Sequence, residues 1–213
     1  MRETPDEYEI IERQTPFRGY FRIAKYKLRH RCFDGGWAQP VWRELFERGH
    51  AVAVLPYDPL RDEVILQEQF RVGALDAPGG PWLLEIVAGI IDAGEGVEEV
   101  ARREALEEAG LTLQELHHIQ DYLVSPGGTT ETVALFVGRA DSNSAGGVFG
   151  LAEEAEDIRV SVLPFEQAMA EMQERPINAA TIVIAMQWLA LNRDMLRRLW
   201  LGAETGSGAE ASK

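Results

Sequence analysis

Along the first third of the chain, apolar and polar residues alternate as they do in half-buried strands: Tyr8–Arg13 and Tyr20–Arg29 each follow the two-residue period. Pro16 and Gly19 interrupt the pattern between them, which predicts a hairpin. Val41–Glu47 and His50–Pro56 come next, parted by Gly49. After a turn at Asp58-Pro59, Glu63–Gln69 carries the run Val64-Ile65-Leu66, and Trp82–Ala88 is a further apolar segment behind the Pro- and Gly-rich stretch 77–81. The period then changes. Val97–Ala109, built of Ala, Glu, Arg and Val, predicts a helix, and Gly110 stands where a helix C-cap belongs. Strands resume at Ile119–Val124, Val133–Arg139 and Ile158–Leu163, the last two separated by a loop, 140–156, rich in Gly, Ser and acidic residues. Loops of that length in a compact domain are functional or disordered. Two helices close the pattern, Pro164–Glu174 and Asn178–Leu191, with continuation to Trp200 left open. The small, polar tail 202–213 reads as disordered. The whole predicts an α+β fold: a mixed β-sheet with helices packed on it and an N-terminal antiparallel strand extension.

Composition narrows this picture. With 213 residues and 46% hydrophobic content, the chain has material for one core and one domain or a little more. The net charge of −14 argues against binding a nucleic-acid backbone, which requires a basic face. It leaves open a small phosphorylated substrate held through divalent cations on clustered carboxylates. The one cysteine, Cys32, excludes an intrachain disulfide and a multi-Cys zinc site. Residues 1–10 are charged and acidic, unlike a targeting peptide, and the longest apolar stretch, Ala179–Leu191, is too short to span a bilayer. These features lead us to expect a soluble, cytoplasmic protein with no nucleic-acid or membrane partner. His30, His50 and the pair His117-His118 are not spaced as a zinc motif.

The helix 97–109 carries the chemistry. At about 100° per residue, Glu104 and Glu108 lie about 40° apart, and Glu107 about 60° to the other side of Glu104. Three carboxylates thus share one face near a helix C-terminus, against both like-charge repulsion and the helix dipole. A bound divalent cation would compensate them; so, more blandly, would a solvated face with Arg103 reaching Glu107 at i+4.

The wider spacing decides between these. Gly89, five residues, Glu95, seven residues, Arg103-Glu104, Ala105, Leu106, Glu107-Glu108, Ala109, Gly110 and Leu111 match the Nudix box, with Ala105 a soft match at an apolar position. From about Glu9 to Trp200 the chain resembles the bacterial ADP-ribose pyrophosphatases of the Nudix superfamily. The resemblance runs through Arg18-Gly19-Tyr20-Phe21, Arg43-Glu44, Glu47-Arg48-Gly49-His50, Glu68-Gln69-Phe70-Arg71, Trp82-Leu83-Leu84-Glu85, Ser125-Pro126-Gly127-Gly128 and Glu154-x-Glu156-Asp157. Pro126 stands where that subfamily carries its characteristic proline after the box.

The resemblance implies a Nudix fold, a mixed sheet sandwiched between helices. It divides the chain into an N-terminal dimerisation and substrate-contact region at 1–50, a catalytic domain at 51–201 and the tail 202–213. It implies hydrolysis of ADP-ribose to AMP and ribose 5-phosphate with Mg²⁺ or Mn²⁺, in a homodimer with shared active sites. Metal ligands would be Glu104, Glu108, Glu156 and the Ala88 carbonyl, and the general base Glu154, with Glu153 its competitor. Glu95, Arg103 and Glu107 would orient the ligands. Tyr20 or Phe21 would stack on adenine. Arg43 and Glu44 would come from the partner, Arg48 and Arg71 would contact substrate near the phosphates, and Ile90 and Glu131 would line the terminal ribose. Two other readings stand beside this one. The same chemistry could act on another nucleotide sugar, GDP-mannose or UDP-glucose, and a Nudix fold can serve as a non-catalytic ADP-ribose sensor. The complete set of box carboxylates and the absence of a basic DNA-binding segment weigh against the sensor.

Overall fold

Strand β4, Ala51–Asp58, is buried at every position, which explains its unbroken apolar reading: both faces are covered. It lies inside an eight-stranded sheet in the computed structural model, which describes residues 4, 6–150 and 156–202. The other strands are β5 (Glu63–Phe70), β6 (Trp82–Glu85), β7 (Val87–Ile90), β8 (Leu116–Leu123), β9 (Thr132–Arg139), β10 (Gly147–Phe149) and β11 (Ile158–Pro164). The order is β10-β11-β5-β4-β9-β8, with β6 on β5 and β7 on β4. β4 and β9 are parallel; the remaining pairs around β4 and β5 are antiparallel, so the sheet is mixed.

The helices are α1 (Val97–Ala109), α2 (Phe165–Glu174) and α3 (Ala180–Leu201). Alternation along β4 sorts the two faces. Ala51, Ala53, Leu55 and Tyr57 face a layer with Phe165, Ile182, Met186 and Leu189 of α2 and α3. Val52 and Val54 face the other way, with Ile65, Val87, Val100, Ala101 and Ala105, into the layer of α1. Each buried Val, Leu, Ile, Met or Phe side chain among these contributes about 1.5–3 kcal/mol. The sheet between helices is the expected architecture.

A splay within this sheet positions the site. β4 and β5 pair directly only at Tyr57↔Val64 and Asp58↔Glu63. Beyond that, β6 pairs with β5 through Gln67↔Glu85, and β7 pairs with β4 through Ala53↔Ala88 and Val52↔Gly89. The single strand expected at Trp82–Ala88 is therefore two, breaking at Ile86 where the segment changes partner.

Residues 1–50 and 123–132 form a second compact unit, distinct from 51–122 with 133–213. Its sheet runs β1-β2-β3, with β1 at Tyr8–Arg18, β2 at Arg22–His30 and β3 at Val41–Glu47. The hairpin is present, but Pro16 lies inside β1 and does not end it. The register shifts between Gln14 and Phe17, an irregularity on an edge strand where a proline is tolerated. Segment 123–132 joins this unit through Phe46 N–H to the Gly128 carbonyl, 2.8 Å, and the Thr129 hydroxyl to the Phe46 carbonyl, 2.9 Å. The 140–156 loop is partly regular, holding a 3₁₀ turn at Ser142–Ser144 and the short β10.

Candidate active site

Helix α1 is fixed at both ends. At its start the Glu99 carboxylate accepts the Gly96 N–H, 3.3 Å, with Glu98 and Glu99 in the first turn where the dipole favours anions. At its end Gly110 adopts φ 66°, left-handed, and Leu111 N–H reaches the Ala105 carbonyl at 2.9 Å. The helix thereby lays Glu104 and Glu108 against the β7 segment that carries Ala88 and Gly89.

Glu108 is 5% exposed. Its Oε2 accepts two neutral donors, Gln67 Nε2–H at 3.0 Å and Ala88 N–H at 3.2 Å. Glu104 lies over Gly89 so closely that a Cβ built there would collide with its carboxylate, so this position of the box requires glycine. Arg103 Nη1 pairs with both Glu104 and Glu107 at 3.0 Å, and Arg103 lies 3.6 Å from Glu95. Glu95 in turn accepts Asp92 N–H at 3.1 Å, so Arg103 ties the loop to the helix. Burial pushes the Glu104 and Glu108 carboxyls up to about 7. At Glu104 the Arg103 charge works against burial, and at Glu108 the two hydrogen bonds do. The neighbouring charges of Glu107 and Glu156 push Glu104 further up, and those of Glu104 and Glu156 do the same to Glu108.

β5 brings a second set of groups. Gln69 Nε2 approaches Glu156 Oε1 at 3.5 Å, and the Oε1 atoms of both Gln67 and Gln69 are buried without a hydrogen-bond partner among the described residues. Arg71, just past β5, donates from Nε and Nη2 to Glu85 Oε2 at 3.0 and 2.7 Å. Burial works against its charge, but Glu85, with Glu108 and Glu156 beyond it, keeps the guanidinium above its ordinary value. Gln67 has no place in the sequence reading, and Gln69 and Glu85 enter it only within the family-like stretches, with no role assigned. The available signal was two glutamines at i and i+2 continuing the core run Val64–Leu66.

Among the described residues no three His, Cys, Asp or Glu side chains converge tightly enough to hold a metal by themselves. The donor set nonetheless fits a hard divalent cation. Two desolvated carboxylates one helical turn apart, beside a strand bearing the Ala88 carbonyl, offer oxygen ligands only. Mg²⁺ takes one or two carboxylates and completes its shell with waters and substrate phosphates rather than a protein cage. Glu154 and Glu153 lie outside the described residues.

The remaining expected residues fall into two groups. Ile90 pairs with Ala51 at the end of β7, in the unit that holds the box. Tyr20, Phe21, Arg43, Glu44, Arg48 and Glu131 all belong to the other unit. There the Phe21 ring meets Tyr20 and Phe46 edge-to-face, with centroids 4.7 and 5.1 Å away, and Arg48 lies over Phe21 at 5.6 Å. Arg48 pairs with the buried Glu131 at 3.2 Å, while Tyr20 stays 89% exposed. Arg43 donates to the Trp42 carbonyl at 3.1 Å and Glu44 lies 3.5 Å from Lys25. No helix of the described residues is long and apolar enough to cross a membrane.

Comparison with known proteins agrees with this geometry. The NUDIX domain family matches residues 47–182. A curated ADP-ribose pyrophosphatase of Escherichia coli is 50% identical over 195 residues, covering 92% of this chain and 93% of its own. The ADP-ribose pyrophosphatase of Haemophilus influenzae is 45% identical, with 90% of each chain covered. A GDP-mannose pyrophosphatase of Pectobacterium atrosepticum is 33% identical over 184 residues, covering 84% of this chain and 92% of its own. Among solved structures, an ADP compounds hydrolase superposes with a TM-score of 0.69 at 21% identity, covering 92% of this chain and 99% of that one, a likeness of fold.

Proposed function

This chain belongs to the NUDIX family, and from that membership we infer that it is an ADP-ribose pyrophosphatase, an enzyme that adds water across the diphosphate of ADP-ribose to give AMP and ribose 5-phosphate. The observation that carries the substrate is identity along nearly the whole chain to ADP-ribose pyrophosphatases, well above that to the GDP-mannose enzyme.

The chemistry is substitution at phosphorus, which asks for charge neutralisation, an aligned water and a proton acceptor. Members of this family act with divalent metals, and we assign Mg²⁺ or Mn²⁺ here. Glu104, Glu108, Glu156 and the Ala88 carbonyl would hold such ions, which when bound would neutralise the diphosphate and lower the pKa of an attacking water. The chain's own residues do the rest. Arg103 holds Glu104 and Glu107 in one array and fastens Glu95 to the helix. Gly89 leaves room for Glu104. Arg71, oriented by Glu85, presents a fixed cation for a phosphate oxygen. Glu154 takes the proton from water.

The same reading makes Tyr20 or Phe21 the adenine platform, and Arg43, Glu44 and Arg48 further substrate contacts. It also makes the protein a cytoplasmic homodimer in which one protomer supplies part of its partner's site. In favour of pairing, the three-stranded sheet leaves Tyr8, Ile10, Ile11 and Phe17 exposed, an apolar surface of the kind that marks an interface. The deciding experiment is a substrate panel. ADP-ribose, GDP-mannose and UDP-glucose are incubated with Mg²⁺ or Mn²⁺ and the products separated by chromatography. AMP and ribose 5-phosphate formed with the highest kcat/KM support the reading; a higher kcat/KM on GDP-mannose or UDP-glucose overturns it. Light scattering alongside activity on a dilution series tests the dimer, which full activity in a monomer would exclude.

A further inference from the structure

Gln67 continues the core run Val64-Ile65-Leu66 in β5 and is 1% exposed. A buried amide is destabilising unless its donors and acceptor are matched. This one is half matched: Nε2 donates to Glu108 Oε2 at 3.0 Å, while its own Oε1 finds no partner among the described residues. Methionine or leucine would fill comparable space without that cost. What the amide adds, therefore, is a directed hold on one oxygen of Glu108.

Which oxygen it holds has consequences. Each oxygen of an ionised carboxylate offers about two acceptor sites. The Gln67 and Ala88 donors both fall on Oε2 and together fill it, leaving Oε1. Mg²⁺ demands near-ideal octahedral geometry, whereas Ca²⁺ takes more oxygens and readily uses both atoms of one carboxylate. We propose that Gln67 is a positioning residue that determines metal specificity: by occupying Oε2 it confines Glu108 to one-oxygen ligation and so favours small octahedral cations over Ca²⁺. This rests on the reading of Glu108 as a metal ligand, and deepens it.

The test measures metal alone, with no substrate. Mn²⁺ binding to the full chain is followed by electron paramagnetic resonance, with Mg²⁺ and Ca²⁺ as competitors, for wild type and Gln67→Met. Loss of a group that orients a ligand typically weakens metal binding about 10- to 100-fold. Mg²⁺ affinity is expected to fall at least ~10-fold while Ca²⁺ affinity holds or rises, so the Mg²⁺/Ca²⁺ ratio drops by that factor. A generally loosened site would weaken both ions alike. Parallel weakening, or no change in either, overturns the proposal. Circular dichroism checks folding, and Gln67→Asn, one methylene short of Glu108, is expected to shift the ratio in the same sense should Gln67→Met not fold. A wild type that binds no divalent ion would overturn the metal assignment along with it, whereas failure of the ADP-ribose reading would appear only in the substrate panel.

Discussion

Replacing Glu108 by glutamine should make the metal-free protein more stable while removing its activity. Burial raises the Glu108 carboxyl from 4.5 to about 7, against the opposing hydrogen bonds from Gln67 and Ala88. The folded state therefore holds more protons than the unfolded state between those two values, and stability falls as pH rises through that window. At about 1.4 kcal/mol per pH unit, the full cost above pH 7 is about 3 kcal/mol. Gln67 and Ala88 can still donate to a glutamine oxygen, so the substitution keeps the shape and removes the charge. It also lifts a repulsion from Glu104. In EDTA at pH 8, Glu108→Gln should unfold in urea with about 3 kcal/mol more stability than wild type, and the gap should shrink by about 2 kcal/mol at pH 5.5. Both conditions stay above the pI of about 4.7, where the net charge keeps the protein soluble. Saturating Mg²⁺ should stabilise wild type and not the variant, whose kcat should fall at least ~100-fold. A variant no more stable than wild type at pH 8 in EDTA would refute the reasoning.

Three further outcomes follow from the same geometry. Gly89→Ala should abolish Mn²⁺ binding, because its Cβ displaces the Glu104 carboxylate; wild-type affinity by titration calorimetry would contradict this. Burial alone would push Asp58 up, but N–H donors from Ser142 and Arg61 and their side chains outweigh it and hold the carboxyl below 3.8. That stability is present above 3.8 and lost as pH falls through the folded value, so Asp58→Asn should cost about 1–3 kcal/mol in urea melts at neutral pH and little in acid. Glu154→Gln should lower kcat ~10²–10⁴-fold with little change in KM, while Glu153→Gln stays within a few-fold; the reverse order in steady-state assays would move the base to Glu153.

How far the sequence reached depended on how local each feature is. The box was legible because its glycine, loop and helix lie in one stretch, 89–111, where spacing alone encodes which side chains share a face. β4 was legible because a strand covered on both sides is apolar throughout. The partners of the box were not legible. Gln67 meets Glu108 across 41 positions, and a polar residue in a strand reads as one that faces water. Arg71 was expected near phosphate from the family likeness, but its partner Glu85 could be found only once β6 was seen pairing with β5. Periodicity likewise could not show that 82–88 divides at Ile86, because a change of strand partner leaves no local mark.

The acidic end of α1 breaks the local rules of helix stability, and the structure shows what carries it instead. The buried residues of α1 are Val100, Ala101, Ala105, Glu108 and Ala109, and its three alanines are as small as a helix former can be. Alanine lets a helix lie close to a sheet, and only close approach lets a side chain as short as glutamate reach a strand backbone, as Glu108 does at Ala88 N–H. A larger residue at 105, which is 0% exposed, would have to displace β7 or lift α1 away from it, at about 1–3 kcal/mol for overpacking. It would also draw Glu108 off Oε2's two donors. Ala105 is the soft match to the box's apolar position, and its size is what the geometry requires. The buried Leu111, bonded back to the Ala105 carbonyl, anchors the helix end that the dipole and the like charges would otherwise fray. The carboxylates are thus held in place by packing and capping that act through other residues; Arg103 offsets Glu104 and Glu107, whereas Glu108 meets the neutral donors of Gln67 and Ala88, which leaves its charge available to a cation.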